Sequence, residues 1–142
     1  MSAADRYAFM DGMIADMREH GGQVTSGPMA GRSLLILTTT GARTGEPRVT
    51  IATFTRDGEA YVVAGSKSGA PTDPFWFKNL VANPTVTIEV SGKVSQARAT
   101  VAQGADRDLL WARHVEARPE FGAYPEKTGG RLIPMIRLTP VG

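Results

Sequence analysis

The sequence predicts an α+β fold: a small antiparallel sheet that closes on itself as a barrel, with two or three helices outside it. Three features predict this class. Apolar, β-branched runs recur along the chain, the first being Leu34-Leu35-Ile36-Leu37-Thr38-Thr39-Thr40. The links between successive runs are short and contain Gly or Asp-Gly, which suits antiparallel hairpins and not helical crossovers. Few stretches carry helical periodicity, so helices cannot cover both faces of a sheet, and the sheet buries its apolar face by curling.

Taken in order, Ala4 to Glu19 reads as a helix. Met10, Met13, Ile14 and Met17 fall on one face at three- and four-residue spacing, and Gly21-Gly22 ends it. Residues 1–22 are therefore an amphipathic helix that docks on the domain, docks on a second subunit, or covers an apolar substrate. After the buried strand at 34–40, Gly41-Ala42-Arg43-Thr44-Gly45 forms a turn. Arg48 to Thr55 reads as the second strand, Asp57-Gly58 as a hairpin turn, and Ala60 to Ala64 as the return, which makes a three-strand meander. Gly65 to Pro71 is a loop of small residues. Asp73 at the cap, Pro74 at the first helical position and Asn83-Pro84 at the end frame the next helix.

Thr85 to Val90 and Lys93 to Ala102 form a hairpin about Ser91-Gly92, with Val94, Ala97, Ala99 and Val101 as the apolar members of the second strand. Another helix runs from about Asp106 to Arg118 and stops at Pro119. Leu132 to Leu138 is the last strand, which Pro134 assigns to an edge or a bulge. Glu120 to Arg131 is the longest irregular stretch, and loops of that length are usually functional. No repeat or low-complexity tract divides the chain, so 1–142 reads as a single domain.

Composition excludes several classes. The 42% apolar content is that of an ordinary globular protein, and the absence of Cys removes disulfides, thiolate metal sites and a cysteine nucleophile. A net charge of +2 is too small to imply nucleic acid, and no aromatics flank Arg43, Arg48 or Lys67 as a single-strand binder would require. No segment reaches the roughly 20 apolar residues that span a bilayer. Asp5, Asp11 and Asp16 interrupt any secretory signal pattern. The expectation is a cytoplasmic protein without stable membrane insertion, its amphipathic helix leaving contact with a membrane surface open.

His20 and His114 stand in separate helices without a second ligand at metal spacing, so no metal site is expected, and His114 reads as a helix-surface residue. A Gly-x-Gly-x-x-Gly fingerprint, a Walker loop, a Gly-x-Ser-x-Gly elbow and a paired-carboxylate signature are all missing. The chemistry is therefore assigned to a bound cofactor.

The informative feature is a cluster of cations and small residues. Arg43, Thr44 and Arg48 lie about the first turn. Lys67 lies between Ser66 and Ser68, beside Gly69, in the loop after the third strand. A meander brings that turn and that loop to one end of the sheet. Cations, hydroxyls and loop N–H groups together suit a phosphate or polycarboxylate tail, and the helix beginning at Pro74 adds the positive end of its dipole. Twelve of the sixteen basic residues are Arg, whose planar fork matches such anions.

The run Leu35-Ile36-Leu37-Thr38-Thr39-Thr40-Gly41-Ala42-Arg43-Thr44-Gly45, followed by Arg48 and Thr50, resembles the opening signature of the deazaflavin-dependent nitroreductase family of actinobacteria. Gly69-Ala70-Pro71, Pro74-x-Trp76, Asn79, Ala82-Asn83-Pro84 and Ile133-Pro134 continue the resemblance over most of the chain beyond residue 30. It implies a flavin-reductase-like split β-barrel using coenzyme F-420, an 8-hydroxy-5-deazaflavin with a phospholactyl and oligoglutamate tail. Similar proteins pass hydride to quinones, nitroaromatics or α,β-unsaturated carbonyls such as lactones.

The resemblance places the tail at Arg43, Thr44, Arg48, Ser66, Lys67 and Gly69, with Ser68 beside them, and the ring at Thr50, Ile51, Ala64 and Trp76. Ordinary core packing is the other reading of Trp76. Glu46 stands where relatives carry a basic residue. Phe121 matches the key tyrosine of the nitroimidazole-activating relatives, which leaves Tyr124 as the candidate catalytic hydroxyl. FMN on the same barrel is the alternative cofactor, and a non-catalytic deazaflavin-binding protein is the alternative function. The expected partner is a small-molecule acceptor, and the apolar helix and barrel edges allow a homodimer.

Overall fold

The computed structural model describes residues 3–27 and 29–141, with side chains described from Phe9 onward. The elements are α1 (Ala3–Glu19), β1 (Leu34–Thr40), β2 (Pro47–Thr53), β3 (Thr55–Asp57), β4 (Ala60–Ala64), α2 (Phe75–Ala82), β5 (Thr85–Val90), β6 (Lys93–Val101), α3 (Gly104–Ala117) and β7 (Met135–Pro140). The strands form one seven-stranded antiparallel sheet in the order β2-β1-β5-β6-β7-β4-β3.

Closure follows from connectivity. β2 and β3 are the two end strands of the sheet, yet only Phe54 separates them in the chain. The sheet must therefore curl until its ends meet. At the corner the Phe54 N–H donates to the Ser33 carbonyl at 3.0 Å, and its ring packs edge-on against Tyr61 with centroids 5.1 Å apart. The single strand expected from Arg48 to Thr55 is thus two strands at opposite ends of the sheet. The expected meander is corrected with it: β4 pairs with β3 and β7, not with β2. One straight strand cannot follow β1 along half its length and β4 along the rest, and the break at Phe54 supplies the bend.

Two further expectations change. β7 is an interior strand between β6 and β4, not an edge. Pro134 stands just before it, where a missing N–H costs no ladder bond, and its carbonyl accepts from the Gly65 N–H at 2.8 Å. In β6 the buried members are Ala97 and Ala99, whereas Val94 is 61% exposed because it lies near the hairpin tip, beyond the covering elements.

The barrel interior is filled by Leu35, Leu37, Val63, Ile88, Ile136 and Leu138, and Leu80 of α2 closes it with Trp76 and Phe77 packed alongside. α3 and the irregular stretch cover the outer face of β4 and β7 through Leu110, Phe121, Ile133 and Met135. α1 covers the outer face of β1 and β2, placing Ile14 and Met17 against Leu34, Ile36 and Ile51. Each such apolar side chain contributes roughly 1.5–3 kcal/mol when fully buried. A forked ion pair from Arg18 to Glu89 of β5, at 3.1 and 3.2 Å, fixes the helix further along. Within this chain α1 docks on its own domain.

Candidate active site

The split in the barrel is a matter of unpaired backbone. In an antiparallel pair, residues alternate between bonding the partner strand and facing away from it. Gly41 N–H donates to Glu46 at 2.8 Å and Phe54 N–H to Ser33, so in the register of Leu37 with Thr50 it is the even-numbered residues of β2 that bond β1. Val49, Ile51 and Thr53 then direct their backbone groups to the free edge. On β4, the Gly65 N–H bonds Pro134, so odd-numbered residues face β7 and Ala64 faces the other way. β3 covers β4 only as far as Val62. A free edge on β2 and the exit of β4 therefore flank the gap where the ends of the sheet meet, and this gap is the candidate groove.

Thr50 is half-buried, and Ile51 contributes differently from expectation. Successive side chains of a strand point to opposite faces, and Ile51 packs behind β2 against the α1 cluster while Ala52 packs in the barrel. What Ile51 offers the groove is its main chain. Ala64 is 9% exposed and lies in the α3-side core. Trp76 is half-buried against the barrel core.

One lip of the groove is the β1–β2 turn. Arg43 is exposed and makes no ion pair among the described residues. Thr44 Oγ1 accepts from the Glu46 N–H at 3.2 Å, which shapes the turn. Arg48 reaches Glu46 at 3.5 Å with both side chains mostly exposed, a pair worth little in water that still offsets part of the lip's charge.

The other lip is the loop after β4. Ser66 is in the right-handed region at φ −77°, and Lys67, Ser68 and Gly69 follow at φ 46°, 54° and 83°. Two successive non-glycine residues at positive φ store about 1–3 kcal/mol each, a cost that clusters at ligand clamps. Among the described residues the N–H groups of Ser66, Lys67 and Ser68 have no hydrogen-bond acceptor, although Ser66 is 7% exposed. Such a run of N–H groups is a concave anion-binding nest.

Arg131 supports this loop from behind. Its Nη1 donates to the Gly65 carbonyl at 2.9 Å and to Asp73 Oδ1 at 2.8 Å. Its Nη2 donates to the Ser66 and Ala70 carbonyls at 2.9 and 2.7 Å, and its Nε to Ala70 at 3.1 Å. Asp73 is thus an ion-pair partner and not the expected cap; Pro74 holds the cap position of α2, without a side-chain bond.

α2 joins the lips. Its first turn follows the loop, with Lys67 Nζ 5.7 Å from the Phe75 ring, and its second turn grips the β1–β2 turn. Buried Asn79 accepts from the Ala42 N–H at 3.0 Å and donates to Thr39 Oγ1 at 3.2 Å. Phe75 and Asn79 are only about 6 Å apart along the helix axis. The loop and the turn therefore contact successive turns of one short helix. Lys78, exposed on that helix with its Nζ 5.8 Å from the Phe75 ring, adds a cation that sequence reading passed over.

The irregular stretch is two 3-10 turns, Pro119–Ala123 and Pro125–Lys127. A Cβ on Gly69 would stand 3.0 Å from the Tyr124 carbonyl and 2.9 Å from Lys127 Cβ, so Tyr124 and the loop are neighbours. Tyr124 is half-buried, its ring 5.1 Å from Phe121, and its hydroxyl has no partner among the described residues. Phe121 is 7% exposed and stacks edge-on upon His114 at 4.6 Å, so here it is a core residue.

His114 reverses its expectation. It is fully buried, not on the helix surface. Its Nδ1 shares a hydrogen bond with the Thr55 hydroxyl at 3.1 Å, and Nε2 has no partner. Burial pushes its pKa down to about 4, so the ring is neutral near pH 7. A polar concavity of about 470 Å3 beside the β1–β2 turn, lined by Thr38, Pro47, Thr85 and Gln96 among others, contains none of the predicted cations. Among the described residues no cluster of His, Asp and Glu could hold a metal ion.

With this geometry in place, residues 12–140 match the model of the family described as F420H(2)-dependent quinone reductase. The chain belongs to that family. A Mycobacterium tuberculosis protein named as an F420H(2)-dependent quinone reductase is 42% identical over 108 residues, which is 74% of this chain and 72% of that protein. A solved structure described as an F420-H2 dependent reductase superposes with a TM-score of 0.68 at 35% identity, covering 75% of this chain and 94% of the other. A structure described as a domain-swapped dimer gives 0.70 at 30% identity and covers 96% and 99%. The fold is accordingly the flavin-reductase-like split barrel, and the protein is an oxidoreductase whose coenzyme is the deazaflavin; FMN is not favoured.

Proposed function

We propose that this reductase binds the deazaflavin ring along the free edge of β2 and its anionic tail between the two cationic lips, and that the acceptor is a quinone. The observation that carries this reading is the nest of unpaired N–H groups at Ser66, Lys67 and Ser68, tied through α2 to the turn that bears Arg43 and Arg48. The donor set suits the coenzyme. Arg43, Arg48, Lys67 and Lys78 supply positive charge, Ser66, Ser68 and Thr44 supply hydroxyls, and the α2 dipole points its positive end at the same place. Backbone groups of Val49, Ile51 and Ala64 are free to bond the polar edge of a planar ring, with Trp76 as its apolar neighbour.

When bound, the reduced coenzyme supplies a hydride from ring carbon. The protein's part is to hold an acceptor against the ring, exclude water and stabilise charge arriving on the acceptor oxygen. Tyr124 fits the last role: its hydroxyl is unpartnered, and its backbone packs on the loop that bears Lys67. Phe121, locked into the core by His114, offers no hydroxyl, so a quinone or conjugated carbonyl suits the site better than a nitroimidazole. The named activity of the M. tuberculosis relative supports the quinone assignment, and the domain-swapped dimer supports a homodimer. The test is oxidation of the reduced coenzyme, followed spectroscopically, against quinones, enones and nitroaromatics. Turnover fastest with quinones is expected, and coenzyme binding without turnover on any acceptor would overturn the catalytic reading in favour of a carrier.

A further inference from the structure

We infer that Arg131 is a positioning residue for coenzyme binding: its guanidinium, whose donors are given to loop carbonyls and Asp73, sets the nest at Ser66–Ser68 by gripping the carbonyls behind it. This deepens the proposed function and rests on that reading of the groove. In a planar trans peptide the C=O of one residue and the N–H of the next point in opposite directions. Drawing the Gly65 and Ser66 carbonyls onto Arg131, both at 2.9 Å, therefore aims the N–H groups of Ser66 and Lys67 the opposite way, off the guanidinium side of the loop. The two bonds to the Ala70 carbonyl, at 2.7 and 3.1 Å, anchor the far end of the loop to the same group.

The loop needs such a clamp. Positive φ at both Lys67 and Ser68 is unfavourable for residues with a Cβ, and few backbone bonds hold the loop. Gly65 bonds Pro134, while Gly69 and Ala70 bond back to Ser66 and Lys67. Arg131 is itself fixed, with only 12% of its side chain exposed and Asp73 balancing its charge at 2.8 Å. Only a planar fork with several donors reaches three carbonyls and a carboxylate at once; an ammonium is a point with three donors. Arg131 also follows the segment carrying Tyr124 and Lys127, so it ties that segment to the tail-binding lip.

The test compares two ligands, the intact coenzyme and its riboflavin-level analogue without phosphate or glutamates, bound to wild type, Arg131→Lys and Arg131→Ala. Binding is read by fluorescence, and folding by thermal unfolding. In the wild type the intact coenzyme should bind more tightly than the analogue. In Arg131→Lys that preference should shrink by roughly 10- to 100-fold, the loss of one charge-assisted bond, with affinity for the analogue unchanged. Millimolar guanidinium, but not sodium at equal ionic strength, should restore the preference in Arg131→Ala. Independently of any variant, the amide resonances of Ser66 and Lys67 in the wild type should shift on adding inorganic pyrophosphate. An undiminished preference in folded variants, or equal loss for both ligands, or unshifted amides, would overturn the positioning role. A wild type with no preference for the tail would instead overturn the reading of the groove.

Discussion

At the scale of single residues, the groove's cations and the Tyr124 hydroxyl make separable predictions. Lys67 is exposed, meeting only Thr72 Oγ1 at 3.3 Å and the Phe75 ring among the described residues, and Arg43 is unpaired among them, so neither is needed to hold the fold. Lys67→Ala or Arg43→Ala should each weaken coenzyme binding by about 1–3 kcal/mol, and added salt should weaken the wild type in the same direction. Titrations at two ionic strengths check both; unaltered affinity in the two variants would remove the tail site. Tyr124→Phe preserves the ring packed on Phe121 and deletes only the hydroxyl. It should lower kcat for quinones more than it changes coenzyme affinity, and identical steady-state kinetics would show that the hydroxyl has no part.

At the scale of elements, α2 is the brace that sets the distance between the lips. Asn79 is 7% exposed and bonds both Ala42 and Thr39. Asn79→Ala leaves those groups without their partner, which costs about 1–3 kcal/mol of stability, and frees the β1–β2 turn. Denaturant unfolding and coenzyme titration should both show a loss, whereas a purely local role would spare binding. Gly69 is the second element-level constraint. Its φ is 83°, and an alanine methyl there would stand 3.0 Å from the Tyr124 carbonyl, so Gly69→Ala should perturb the tail lip and the Tyr124 segment together. Weakened coenzyme binding accompanied by reduced kcat is the expected pair of effects.

At the scale of the whole molecule, the buried imidazole of His114 links the barrel to α3 and to the Phe121 turn. Its folded-state pKa of about 4 lies below the ordinary value of 6.5. The unfolded chain therefore takes up a proton on this ring as pH falls through 6.5, and the folded protein does not until about 4. The stability it contributes is complete above pH 6.5 and is lost between 6.5 and 4, amounting to about 3 kcal/mol. His114→Leu should flatten that part of the profile, so that the wild type loses stability relative to the variant as pH falls from 6.5 toward 4. Parallel profiles across this window would contradict it.

The sequence by itself determined the kinds of element and the charges offered to the candidate groove. The run at 34–40, the hairpins at Asp57-Gly58 and Ser91-Gly92 and the stop at Asn83-Pro84 are local matters of periodicity and turn chemistry, and the cations Arg43, Arg48 and Lys67 are legible as charges beside small residues. Tertiary structure alone decided which backbone edges stay unpaired, because strand order depends on partners distant in sequence: β4 next to β7, β2 at the far end from β3. It decided Arg131 for the same reason, since its acceptors lie some sixty residues upstream and no neighbouring residue hints at them. It also buried His114, whose helical phase alone did not reveal that an outer face of the sheet would need α3 to cover it.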